Sequence, residues 1–299
     1  MEERRRIGAY GLCREDGRVL LVRGSAAADF PGVWQLPGGG LRHAEHPEAA
    51  VVRELAEETG LAVEVTGVRA AVSDVTRYLD LGVALHTDRV IFDVTPVGGT
   101  LRDETDATTD LARWCTLDEA AELPLLPFTA ELLGLPVDPL PEPTTRGAFA
   151  PLSTDRRQRF AAYGLVTDPA GRVLLTMIAD GYPGAGKWHL PGGGTDHGEQ
   201  PAAGLLRELV EEAGQLGRVV DLMAVDNLHN PAALGPEGRP LDWHSVRVIY
   251  RVRVDVPTEA VVTELAGGST ARAAWFAQEQ VGGLRLTDVA ARATGRPGR

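Results

Sequence analysis

The chain has 299 residues, 43% of them hydrophobic and 24% charged, and 42 acidic against 30 basic side chains give a net charge of −12. That length and composition suit two soluble globular domains, each able to bury its own core. The negative excess argues against binding of DNA or RNA polymers, which requires a basic footprint, and no apolar run reaches membrane-spanning length.

The opening run Met1-Glu2-Glu3-Arg4-Arg5-Arg6 has basic residues but no apolar stretch behind them. No signal peptide is therefore expected, and the expected location is the cytoplasm. A first strand is predicted from Ile7 through Ala9-Tyr10-Gly11-Leu12, and Gly17-Arg18-Val19-Leu20-Leu21 reads as a turn entering a second. The only cysteines, Cys13 and Cys115, fall in predicted strands and are expected to be buried free thiols. Next comes Trp34-x-Leu36-Pro37-Gly38-Gly39-Gly40, where the backbone can turn tightly and approach a ligand closely.

A helix is predicted to open near Pro47 and stop near Gly60, the residue types suited to those two positions. Within it Glu54, Glu57 and Glu58 stand at i, i+3 and i+4 and share a face, leaving Val51, Val52, Leu55 and Ala56 to pack. A strand from His86 to Phe92, another at Arg113-Trp114 and a helix from Phe128 to Leu135 close the half. Pro136, Pro139, Pro141, Pro143 and Pro151 then mark residues 136–155 as a stiff, extended linker.

After the linker the same order recurs. Ala162-Tyr163-Gly164-Leu165, Gly171-Arg172-Val173-Leu174-Leu175 and Trp188-x-Leu190-Pro191-Gly192-Gly193-Gly194 echo the first half. So does a helix from Pro201 carrying Glu208, Glu211 and Glu212 on one face, with Leu205, Leu206 and Leu209 for packing. His244 to Tyr250, Ala274-Trp275-Phe276 and Thr287 to Ala293 complete the second set. The expected domains are residues 1–135 and 156–299.

Three carboxylates on one helical face repel one another, by a few tenths of a kcal/mol or so per i,i+4 pair. Arg53 and Arg207 offer partial relief to Glu57 and Glu211. A hard divalent cation is the fuller answer, because Mg2+ and Mn2+ prefer carboxylate oxygen and magnesium takes phosphates as further ligands. A glycine-rich turn facing such a cluster predicts a metal-bridged diphosphate site. His43-x-x-His46 has the look of a zinc pair, but nothing in the sequence completes it.

At these residues the chain resembles the Nudix hydrolase family, whose box reads G-x5-E-x7-R-E-U-x-E-E-x-G-U with U apolar. The copy from Gly39 through Glu45, Arg53-Glu54 and Glu57-Glu58 to Gly60-Leu61 meets every fixed position. The copy from Gly193 departs only at the last, where Gln215 replaces the apolar residue, a change expected to touch folding more than catalysis. Gly204 inside the second helix is expected to weaken it, by about 1 kcal/mol relative to alanine.

The resemblance implies two α/β/α sandwich domains with mixed sheets, in tandem. It also implies Mg2+-dependent (or Mn2+-dependent) hydrolysis of the diphosphate in a nucleoside diphosphate linked to another group. Carried over by position, Glu57, Glu58, Glu211 and Glu212 are metal ligands, and Glu54 and Glu208 are ligand or general base. Arg53 and Arg207 orient them, Glu45 and Glu199 assist through water or metal, and the Gly38 and Gly192 carbonyls add backbone ligands.

A further acid outside the box, Glu104 or Asp106 in the first half and Glu264 in the second, is a candidate to complete each site. Phe30 and Tyr182 are candidates to stack on a base; Trp34 and Trp188 are expected to pack. Arg42 facing Asp196, and Lys187 in a longer second loop, predict that the two sites prefer different substrates. The partner is thus a small phosphoanhydride, and the duplicated chain is compatible with a monomer whose halves imitate a dimer. Two other readings stay open: one half catalytic and the other structural or binding, or a nucleotide sensor without turnover, whose mark would be eroded box glutamates.

Overall fold

The computed structural model describes residues 1–105, 107–144, 149, 151–234, 239–263 and 268–295. The chain divides into two compact units, Met1–Arg157 and Gln158–Arg299. The first contains β1 (Glu2–Glu15), β2 (Arg18–Gly24), β3 (Trp34–Gln35), β4 (Gly38–Gly40), α1 (Pro47–Thr59), β5 (Leu61–Tyr78), β6 (Val83–Gly99), β7 (Thr109–Cys115), α2 (Leu117–Ala121) and α3 (Pro127–Leu133).

Its sheet runs β3-β2-β1-β6-β5, with β4 also on β1 and β7 also on β2. β1 and β6 pair in parallel from Glu2↔Val83 to Cys13↔Val94, whereas β5 and β6 are antiparallel, so the sheet is mixed. β1 lies centrally, and Ile7 to Cys13 are all buried, as expected of a strand covered on both faces. Repeated register shifts along β5 curl the sheet.

Alternation along β1 sends Tyr10 and Leu12 into a core with Trp34, Leu36, Ile91 and Phe128, on the α2–α3 side. Gly11 points the other way, where a side chain would meet the Leu55 methyl group at 2.9 Å; α1 packs there. Helices therefore cover both faces. Cys13 and Cys115 are buried free thiols, and burial pushes the Cys13 pKa up to about 11.

The second unit repeats the plan with β8 (Arg156–Thr167), β9 (Val173–Ile178), β10 (Trp188–His189), β11 (Gly192–Gly194), α4 (Pro201–Ala213), β12 (Arg218–Leu234), β13 (Pro240–Arg253), β14 (Thr270–Phe276), α5 (Gln278–Val281) and α6 (Asp288–Ala293). Its order is β10-β9-β8-β13-β12, with β11 on β8 and β14 on β9. Two α/β units with curled mixed sheets and few helices are thus joined in tandem.

The two departures from the repeat pattern are accommodated locally. Gln215 is 1% exposed; its Nε2 donates to Ala213 O and Thr258 Oγ1, while its Oε1 accepts from Thr258 N. It fastens the segment after β13 to the end of α4 in place of an apolar contact. Gly204 is no plain weak point, because a Cβ there would meet Glu199 Oε2 at 2.8 Å. The glycine makes room for a box carboxylate.

Candidate active sites

The N-terminus of α1 is fixed by His46, whose Nδ1 accepts from Glu48 N at 3.2 Å, with Pro47 next in sequence. His46 is thus a helix cap. Gly60, at φ +72°, ends the helix as expected. The buried face is Pro47, Ala50, Val51, Leu55, Glu58 and Thr59; of the expected packing residues Val52 is half-buried and Ala56 exposed. The acids are graded across the helix: Glu57 exposed, Glu54 half-buried, Glu58 only 4% exposed. At 100° per residue the three cannot all face solvent once Leu55 is buried.

β4 lies antiparallel to β1, with Gly38 opposite Tyr10 and Gly39 opposite Ala9. Gly38 has φ +144°, and an added Cβ would run into the Ala9 carbonyl and the Tyr10 backbone. Its N–H donates to Glu58 Oε2 at 2.8 Å. At Gly39 an added Cβ would meet the Glu54 carboxylate at 2.7 Å. The glycines therefore let the acids close onto the backbone of β4.

Arg53 ties the cluster together. Its Nε and Nη2 both donate to Glu45 at 2.8 Å, its Nη1 donates to Glu54 at 2.7 Å and Glu57 at 3.0 Å, and its Nη2 also reaches Gly40 O at 3.3 Å. Glu45 accepts from Arg42 N as well, so both of its oxygens are engaged. The Arg53 fork holds the Glu45 pKa below the usual carboxylate range. Burial pushes Glu54 up, and pushes Glu58 well up, against the lowering effect of the Gly38 N–H. Neighbouring Glu54, Glu104 and Glu57 add to the Glu58 shift.

The second unit reproduces this network atom for atom. Arg207 donates to Glu199, Glu208 and Glu211 at 3.0 to 3.2 Å and to Gly194 O at 3.2 Å. Gly192 N donates to Glu212 Oε2 at 2.8 Å, and an added Cβ at Gly193 would meet Glu208 Oε1 at 2.6 Å. Thr270 Oγ1 donates to Glu212.

A cavity of about 350 Å³ opens beside the first acid cluster, lined by Gly38 to Gly40, Glu54, Glu58 and Phe30 among others. Arg42 is not among the lining residues and donates to Glu57 at 3.3 Å. Glu104 accepts from Thr109 Oγ1 at 2.6 Å, near enough for its charge to act on Glu58. Tyr182 is 42% exposed on its loop. Asp106 and Glu264 lie outside the described residues. Trp34 and Trp188 are buried in the cores.

Lys187, the single lysine of the chain, is half-buried just before Trp188. Its carbonyl accepts from Ile178 N as that of Val33 accepts from Gly24 N, and Val33 lines the first cavity. A shallower groove of about 790 Å³, between residues 257–262 and β14, contains none of the box acids.

Among the cavity residues that escaped the reading of the sequence are Arg6, Asp29, Tyr78 and Arg89. Arg6 lies over Gly40 as Arg159 lies over Gly194. Arg89 pairs with Asp74 at 2.5 Å and stacks 4.6 Å from the Phe128 ring, and Arg247 pairs with Asp226. The signal for the arginines was present. Arg-x-x-Ala-Tyr-Gly opens both repeats, and His-x-x-Arg recurs at residues 86–89 and 244–247. Nothing in the repeat pattern marks Asp29 or Tyr78.

A model of the NUDIX domain matches residues 2–134 and again residues 157–295. A MutT-like protein of Streptomyces ambofaciens is 41% identical over 111 residues, 37% of this chain and 63% of that protein, so the match spans under two thirds of the relative. Putative 8-oxo-dGTP diphosphatase 3 of Mycobacterium tuberculosis is 35% identical over 163 residues, 52% of this chain and 70% of the relative. CTP pyrophosphohydrolase of Escherichia coli is 32% identical over 123 residues, covering 41% and 84%. The crystal structure of a MutT NUDIX hydrolase from Burkholderia pseudomallei covers 44% of this chain and 97% of its own, at 28% identity and TM-score 0.38. Among the described residues no helix is long and apolar enough to cross a membrane. With the domain model matched across nearly the whole of both halves, the chain belongs to the Nudix hydrolase family, with two NUDIX domains in tandem.

Proposed function

We propose that this protein is a divalent-cation-dependent pyrophosphohydrolase that splits the diphosphate of a nucleoside diphosphate linked to another group, with a nucleoside triphosphate as first choice. The observation that carries this reading is Glu58: a carboxylate buried to 4% exposure, bonded to Gly38 N, with Glu54, Glu57 and Glu104 all bearing on it. Burial and like charge drive its proton affinity up, a costly arrangement that an oxygen-seeking cation reverses. The donor set fits Mg2+ or Mn2+: hard carboxylate oxygens beside backbone carbonyls, without a sulfur ligand. Glu57 and Glu58 would hold the ion in the first unit, and Glu211 and Glu212 in the second, with the Gly38 and Gly192 carbonyls as further donors. Such an ion supplies charge neutralisation for the diphosphate and a more acidic water.

The chain's own groups do the rest. Glu54 and Glu208, crowded against Gly39 and Gly193, are placed to take the proton of the attacking water, and burial raises the basicity of Glu54. Arg53 and Arg207 hold these acids, with Glu45 and Glu199 anchoring the arginines. Absence of side chains at Gly39 and Gly193 lets the Glu54 and Glu208 carboxylates lie against the backbone of the turn. The choice of nucleoside triphosphates draws on the names of the relatives, an 8-oxo-dGTP diphosphatase and a CTP pyrophosphohydrolase. Intact acids in both boxes favour turnover at both sites over a sensor or a single working half.

The test is release of phosphate or pyrophosphate from nucleotides, nucleotide sugars, dinucleoside polyphosphates and prenyl diphosphates with Mg2+, repeated for Glu57→Gln and Glu211→Gln singly and together. Partial loss with each and full loss with both supports two working sites. Turnover that survives the double substitution rejects the catalytic assignment, and tight binding without turnover favours the sensor.

A further inference from the structure

The cavity of the first unit has a wall of two residues, Asp29 and Tyr78, that are far apart in sequence and bonded to each other. The Tyr78 hydroxyl donates to the Asp29 carboxylate, and burial together with that charge holds the phenol protonated. Tyr78 itself is only 4% exposed. Both residues are gripped from behind by the segment that joins the repeats. Thr144 N donates to the Asp29 carbonyl at 2.7 Å. Phe149 meets Tyr78 edge-on, ring centroids 5.2 Å apart at 77°, and packs with Tyr78, Val83 and Leu85. The Arg4 guanidinium covers the Phe149 ring at 5.3 Å.

These contacts run in a chain: Thr144 to Asp29, Asp29 to Tyr78, Tyr78 to Phe149. A proline-rich linker with only a spacer's role has no need of an aromatic anchor and a backbone bond on two residues of one cavity. We propose that Thr144 and Phe149 are positioning residues of the first site, which set the Asp29–Tyr78 wall against the bound substrate. The proposal rests on the first cavity being a substrate site. Because the wall is separate from the box acids, its displacement weakens binding and leaves the chemical step intact.

The test uses the full chain with the second site silenced by Glu211→Gln and Glu212→Gln. Phe149→Ala raises KM for the hydrolysed nucleotide roughly fivefold, the size expected for one lost aromatic pair, while kcat stays within about twofold. Phe149→Tyr, which keeps the ring, restores KM. Hydrogen exchange at residues 27–31 and 76–80 speeds up in Phe149→Ala, with the amides of α1 unchanged. Unchanged KM and exchange in Phe149→Ala overturn the proposal, as does an equal fall in kcat. If the silenced protein hydrolyses nothing, the functional reading of the first site fails, and the exchange measurement alone decides the clamp.

Discussion

The second repeat carries a histidine where the first has an uncharged side chain, and that difference predicts an acid weakness confined to one half. His189 occupies the place of Gln35, between Trp188 and Leu190. Its ring lies 4.7 Å from that of Tyr163, and its Nδ1 is 2.6 Å from Thr287 Oγ1. Burial, reinforced by Arg247 and opposed by Asp226, pushes its pKa down from 6.5 to about 3. The folded value is below the unfolded one, so the unfolded chain binds more protons between the two, and stability falls with acidity through that window. Above about pH 6.5 the effect vanishes; below it the loss approaches ~1.4 kcal/mol per pH unit. At pH 5 this amounts to about 2 kcal/mol, an upper limit because the residue keeps some exposure. The assay is urea unfolding at pH 7.5 and pH 5, read by hydrogen-exchange mass spectrometry on peptides of β8 and β9, for wild type and His189→Gln. The variant's absolute stability can differ, but its stability should fall less between the two pH values. Peptides of β1 and β2 should respond alike in both proteins. Equal pH dependence of β8 and β9 in the two proteins would refute the reasoning.

Four further substitutions separate fold from chemistry. Glu58→Gln retains an oxygen for Gly38 N but removes a carboxylate whose folded pKa is raised, a group that favours the native state only at low pH. In chelator at pH 8 the variant should melt a few degrees above wild type, with the gap closing toward pH 4, while activity of the first site is lost; a lower Tm at pH 8 contradicts the assignment. Gly39→Ala directs a methyl group at the movable Glu54 carboxylate and should cost about 10²-fold in kcat with little change in unfolding free energy. Gly38→Ala meets immovable backbone of β1 at a positive φ and should cost more than about 3 kcal/mol of stability, measured by denaturant titration. Gln215→Leu, which completes the apolar pattern of the box, should destabilise the second unit by about 1 kcal/mol, because the hydrogen bonds that tie Thr258 to the end of α4 are lost.

What could be read from the sequence was what repeats with a fixed spacing. The helix from Pro47 to Gly60, the three acids, the glycine turn and the buried tryptophans depend on local geometry, and the structure places them accordingly. The repeated Ala-Tyr-Gly-Leu segments likewise gave the central strand of each sheet. Spacing could not show how α1 is rotated. Three acids share a face in projection, yet Leu55 must enter the core opposite Gly11, and that rotation buries Glu58 while leaving Glu57 in solvent. The cavity wall was invisible for a different reason. Asp29 and Tyr78 are brought together by the mixed sheet, so no local pattern joins them.

The duplication also shows which parts of such a site are constrained. Each contact of Arg53 has a counterpart at Arg207, and each glycine of the turn meets the same obstacle in both halves. Around that fixed centre the first cavity's lining residues have different counterparts: Val33 against Lys187, Gln35 against His189, Leu126 against Thr287, the last pair matched because each N–H donates to the carbonyl of the preceding tryptophan. All three exchanges replace an uncharged or apolar side chain by one with different hydrogen-bonding or charge, while the box acids do not change. Box acids held constant beside matched positions that differ in polarity are what the expectation of different substrates at the two sites requires. Lys187→Val should therefore alter the ranking of substrates at the second site without lowering kcat for the best of them, measured with Glu57→Gln in the background. An unchanged ranking would place the specificity of that half elsewhere.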